Sequence, residues 1–281
     1  MDFDSAYIDP FLDEWLSCLQ EKSRQQEKFI LEKSKFFIPN IELNDSDVRL
    51  IFNIIEQFKC HSNAKYLAVH LFEKYVNFKM KQNLDLNPNY IINKSEMKLR
   101  LLSCIQLASK MDSNEDYLKI SHIKRILKEM DPDRIYPNKV ILDSEFYVFK
   151  SVEFEIPTYT TKNCVDVLLA ASGLRNTLEI VKSASKLLDL SYVCHEELHS
   201  NLKTITHEGS RTEFFDDRNN LLLKSNALVL GASIIFSSVF FMNMEKGNLK
   251  ELLKKVAVLV ELKETDIWDM SNSLLSLSYQ E

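Results

Sequence analysis

The last proline of the chain is Pro157, and the 124 residues that follow it contain none. Proline lacks a backbone donor and clashes with the preceding turn, so it commonly punctuates helices. The 281 residues also hold only four glycines. A chain so poor in both has few of the residues that tight β-turns require. Long helices joined by polar loops are what it can form, and an all-α fold is expected.

That length accommodates one large domain or two small ones. Hydrophobic residues at 45% and charged residues at 27% are ordinary for a packed globular protein. The net charge is −6, and no clustered Lys and Arg mark a nucleic-acid groove. Cys18, Cys60, Cys104, Cys164 and Cys194 form no CxxC pair, so reduced, mostly buried thiols are expected rather than disulfides. Asp2, Asp4, Asp9 and Asp13 are incompatible with the basic start of a signal peptide. The run from Ala227 to Met244 approaches the length of a membrane span. Ser233, Ser237, Ser238 and Asn243 dilute it, and a buried central helix is the expectation.

Apolar residues recur at helical spacing along the chain. A first helix is predicted over 10–37, with Leu12, Trp15, Leu16 and Leu19 on one stripe. Five more follow, over about 45–58, 63–80, 93–111, 120–130 and 137–154. Asn44 is the cap of the first of these. After the break at Pro157, helices are predicted over 163–171, 177–190, 192–202, 219–244, 248–262 and 266–279, with a charged loop at 204–217. The predicted division is an amino-terminal helix (1–40), a five-helix domain (41–157) and a second helical domain (158–281).

Four segments of the five-helix block, in order, resemble the cyclin box. Val48-Arg49-Leu50-Ile51-Phe52 stands where cyclins carry a similar apolar and basic run. Leu67 to Tyr75 reads LAVHLFEKY, similar to the second cyclin helix. Leu107-Ala108-Ser109-Lys110 is similar to the end of the cyclin central helix. Glu145 to Thr158 reads EFYVFKSVEFEIPT, similar to the fifth. Within cyclins, the chain most resembles the divergent cyclin N-terminal-domain-containing proteins of meiotic crossover maturation.

The resemblance implies two cyclin-like helical domains, the second degenerate. It implies a non-enzymatic regulatory or adaptor subunit, nuclear with the cytoplasm as the alternative location, without cofactor, that binds a cyclin-dependent kinase or meiotic recombination proteins. By position, Lys110 and Glu145 would form the polar centre of the partner-binding face, with Phe154 an apolar contact and Met111 beside them. Arg49 and Glu73 would form an internal structural pair. A kinase-independent scaffold is the alternative. The substrate-docking patch of cell-cycle cyclins uses a Trp and an acid where Ile55 and Phe58 stand here, so the resemblance does not extend to reading a basic docking motif.

One motif competes. His195-Glu196-Glu197-Leu198-His199 fits HExxH, in which two imidazoles one turn apart can share a zinc and the Glu can act as base. The longer protease pattern needs Gly and His where Leu202 and Ile205 stand. His207 and Glu208 fall in the predicted loop. No Gly-rich phosphate loop, GxSxG elbow or paired catalytic carboxylates accompany the motif. A polar helix face is expected, with neither a metal nor a small-molecule ligand. The cations Lys119, Lys124, Arg125 and Lys128 are expected on a solvated face of their helix.

Overall fold

A computed structural model describes residues 11–33, 43–86, 94–112, 116–156, 160–209, 226–242 and 246–279. All regular structure among them is helical, in twelve helices. The chain divides into two compact units, one of Pro39–Thr160 and one that joins Met1–Ile38 to Thr161–Glu281.

The first unit holds α2 (Asp45–Gln57), α3 (Asn63–Leu86), α4 (Lys94–Asp112), α5 (Ile120–Met130) and α6 (Asn138–Ser151). Its centre is α4, where residues 101–109 are buried without a break. A helix that is apolar nearly all round must be surrounded, and α2, α3, α5 and α6 all pack on it. Each large aliphatic side chain buried there contributes roughly 1.5–3 kcal/mol. The buried hydroxyls have partners. Ser103 donates to the Leu99 carbonyl at 3.0 Å and meets the Ser144 hydroxyl of α6 at 2.7 Å. By contrast α5 is two-faced, with Ile123, Ile126 and Leu127 inward and Lys124, Arg125 and Lys128 outward.

The Asn44 side chain caps α2 by accepting from the Asp47 amide at 2.8 Å, as expected. The carboxy-terminal caps were less legible. Lys59, Glu153, Gly173 and Glu261 all have φ between 52° and 70°. At each, the next amide reaches back five residues, as Cys60 does to Ile55 at 3.0 Å and Phe154 to Phe149 at 3.0 Å. This is the left-handed cap that glycine favours, and three of the four are built without glycine. For α6 it means the helix stops at Ser151, short of the predicted 154.

The second unit holds α1 (Leu12–Lys33), α7 (Thr161–Ala171), α8 (Leu178–Val193), α9 (His195–Gly209), α10 (Ala227–Phe240), α11 (Lys246–Val260) and α12 (Glu264–Ser278). The apolar run that approached a membrane span is its central helix. Residues 231–239 of α10 are all buried, and α7, α8, α11 and α12 surround it. Among the described residues no helix is long and apolar enough to cross a membrane. The serines that diluted the run lie inside. Ser233 donates to the Val229 and Ile267 carbonyls at 2.8 and 3.1 Å, and Ser238 to Ile234 at 2.6 Å. Gly231 lets α7 approach, because a Cβ there would stand 2.9 Å from that of Cys164.

The amino-terminal helix belongs to this second unit. Leu12 and Leu19 are buried, whereas Trp15 is half exposed. Gln20 donates to the Leu259 carbonyl at 2.9 Å, and Asn226 to the buried Ser23 hydroxyl at 2.8 Å. The loop predicted from residue 204 is helical as far as Gly209, so His207 and Glu208 fall on the last turn of α9. Residues 210–217 of that loop lie outside the described residues.

Candidate partner-docking face

Lys110 is where α4 emerges from the core. The residues before it are buried, and Met111 after it is exposed. An ammonium in the last turn of a helix is favoured by the partial negative charge of the free carbonyls. Ser109 fixes this end, since its hydroxyl donates to the Gln106 carbonyl at 2.8 Å and accepts from the Leu118 amide at 3.0 Å. Asp112 anchors it a second time, 2.5 Å from His61 Nδ1 and accepting from Asn63 at 3.1 Å.

Glu145 comes from the facing helix. On α6 the buried positions are Ile141, Ser144, Glu145, Val148 and Ser151, a helical stripe against the core. A carboxylate in that stripe needs a partner. Lys110 supplies it, with Nζ 2.5 Å from Glu145 Oε1. The pair sits at the rim, its side chains 36% and 11% exposed, so water screens it in part. The two residues predicted to sit together do so.

Exposed apolar side chains neighbour the pair along the chain. Leu142, Phe146, Phe154 and Met111 are 46%, 63%, 54% and 58% exposed. Phe154 follows the left-handed turn that ends α6, and its ring packs edge-on against Phe149 at 5.1 Å and lies 6.4 Å from Phe146. Such a contact across the cap is usual for this kind of helix end, and it fixes the ring. Leu142, Phe146 and Phe149 were not selected from the sequence. The signal was present: they recur at i, i+4 and i+7, one stripe more than α6 needs to face its own core.

The remaining candidates lie elsewhere. Glu73 of α3 is 3.3 Å from His70 of the same helix, and Arg49 is on the exposed side of α2. Ile55 is buried, and the Phe58 ring lies 4.9 Å from the His122 ring and 4.7 Å from the Arg125 guanidinium. In the second unit, His195 opens α9 and His199 is a turn further on, the rings 6.2 Å apart and nearly perpendicular. The face that α9 packs inward is Leu198 and Leu202, and the Leu198 carbonyl accepts from Ser273 of α12 at 2.8 Å. Leu202, where the longer zinc pattern needs glycine, is a core position.

The sequence model of the family "Cyclin, N-terminal domain" matches residues 14–157, just over half of the chain. The human protein named Cyclin N-terminal domain-containing protein 1 is 26% identical over 219 residues, covering 70% of this chain and 65% of the human one. Its mouse counterpart is 27% identical over 222 residues, covering 70% and 64%. The match thus spans slightly less than two thirds of these relatives' length. With an all-helical fold in which the segments of the cyclin pattern converge on one central helix, the chain belongs to the cyclin N-terminal domain family.

Proposed function

We propose that the chain is a non-catalytic, cyclin-like regulatory subunit that docks a cyclin-dependent kinase through the face centred on Lys110 and Glu145. The observation that carries this reading is a paired ammonium and carboxylate on two helices whose neighbouring residues Met111, Leu142, Phe146 and Phe154 are exposed and apolar. Fixed polar groups within an apolar surround are the usual chemistry of an interface centre, where the apolar ring excludes water and the polar groups set register. A partner that desolvates the pair must hydrogen-bond it, and backbone groups of a kinase segment beside the regulatory helix fit that need. The nuclear, meiotic-recombination setting is part of the proposal and rests on resemblance alone.

Recruitment of substrates carrying a basic docking motif is not part of the proposal, because Ile55 is buried and Phe58 is in contact with His122 and Arg125. Activation needs the kinase regulatory helix to be placed, and binding alone does not achieve that.

Pull-down with a panel of cyclin-dependent kinases tests the face. Lys110→Ala, Glu145→Ala and Phe146→Ala should each reduce recovery about tenfold or more, the scale of a central interface residue. Recovery equal to wild type for all three would remove the face from the interaction. Phosphorylation of a histone-type substrate by the recovered complex separates an activator from a scaffold.

A further inference from the structure

A second surface of the first unit is chemically the opposite of a site for basic motifs. The exposed side of α5 carries Lys124, Arg125 and Lys128, with Lys119 at its start. Among the described residues no carboxylate pairs with Lys124, Arg125 or Lys128, although Glu129 and Asp131 are close in sequence. Surface lysines alone are commonplace. Here the Phe58 ring, at the end of α2, lies 4.9 Å from the His122 ring, tilted at 35°, and 4.7 Å from the Arg125 guanidinium. A guanidinium drawn to an aromatic ring is partly ordered before any ligand arrives, which lowers the cost of ordering it on binding. Lys59, beside Phe58, adds a further exposed cation.

We infer that this α2–α5 surface binds a short acidic peptide segment, whose carboxylates or phosphates take Lys124, Arg125 and Lys128 as partners and whose apolar group rests against Phe58. Charge complementarity identifies the occupant. Lys124 and Lys128 stand one turn apart, about 6 Å at the helical rise of 1.5 Å per residue, the reach of roughly two extended residues. A nucleic acid would need a longer cationic track, and on α5 itself the acidic Glu129 directly follows Lys128. Carboxylate and phosphate share the chemistry, and Arg125 suits both because its planar fork matches either anion. The inference does not rest on the kinase reading, since none of these residues belongs to the Lys110–Glu145 face.

The test is fluorescence anisotropy on the full chain at low ionic strength, with four labelled probes. These are a short Glu-rich peptide with one central Leu, the same peptide with phosphoserine replacing two Glu, a neutral Gln version, and a single-stranded oligonucleotide of equal charge. Both acidic peptides should bind, more weakly as salt rises. The triple variant Lys124→Glu, Arg125→Glu, Lys128→Glu should lose about tenfold or more in affinity. Arg125→Lys, which keeps the charge and loses the flat fork, should weaken binding less, and Lys110→Ala should bind as wild type does. A tighter phosphoserine peptide would assign the site to phosphorylated segments, and equal affinity to acidic ones. Absence of peptide binding by the wild type, equal binding by the triple variant, or preference for the neutral peptide or the oligonucleotide would each overturn the inference.

Discussion

At the α6 terminus, Glu153 and Phe154 both have φ of 59°, a region that costs a residue with a Cβ about 1–2 kcal/mol. Glu153 is exposed and has no role in the docking face beyond shaping the turn. Glu153→Gly is therefore expected to raise stability by about 0.5–1 kcal/mol in urea titrations, and kinase recovery should not change because Phe154 keeps its place. A fall in stability would show that the carboxylate itself matters. Asp131, just after α5, offers a test by pH. The Tyr136 hydroxyl donates to it at 2.7 Å, and this bond is the main cause holding the Asp131 carboxyl below the usual aspartate range, with Ser95, Lys98 and Arg134 assisting. A carboxyl lowered on folding adds stability above its unfolded pKa and loses it as pH falls through the folded value. Tyr136→Phe should move the Asp131 titration upward in carbon-13 NMR and make the acid-side loss of stability shallower. An unmoved titration would refute the assignment of cause.

Among the helices, α10 depends most on one residue. Gly231→Ala places a methyl 2.9 Å from the Cys164 Cβ and should destabilise the chain by about 1–3 kcal/mol, as overpacking does. Cys164→Ala should not rescue it, because alanine keeps the same Cβ; Cys164→Gly should relieve the clash, less the helix cost of glycine, about 1 kcal/mol. Thermal melts of the two double variants distinguish a clash at that atom from a general loss of fit. The helices themselves were largely legible: α5 was predicted over the residues it occupies, and α2 to within one residue, because their apolar periodicity is strong and Asn44 is an ordinary cap. The ends that were misread have physical causes. α6 stops on left-handed residues that carry side chains, so no glycine announced the stop. α9 continues through Thr204, Ile205 and Thr206, where polar residues read as a loop.

Considered whole, the chain returns on itself: its first helix belongs to the unit that holds Thr161–Glu281. No local pattern could show this, since the partners of Gln20 and Ser23 are Leu259 and Asn226, more than two hundred residues away. Removing residues 1–33 should therefore loosen the second unit. Hydrogen exchange is expected to rise in α7, α10 and α11, with α4 protected as before; faster exchange in α4 and none in α10 would refute this. The docking pair was legible only through ordered family segments, because nothing in the spacing of Lys110 and Glu145 says that α4 and α6 meet there. Its apolar surround was legible in principle as the surplus stripe on α6. The buried Ser109 hydroxyl ties the last turn of α4 to the segment entering α5. One oxygen thus closes one helix and leads into the next, so a residue without a hydroxyl at this position would release both attachments together.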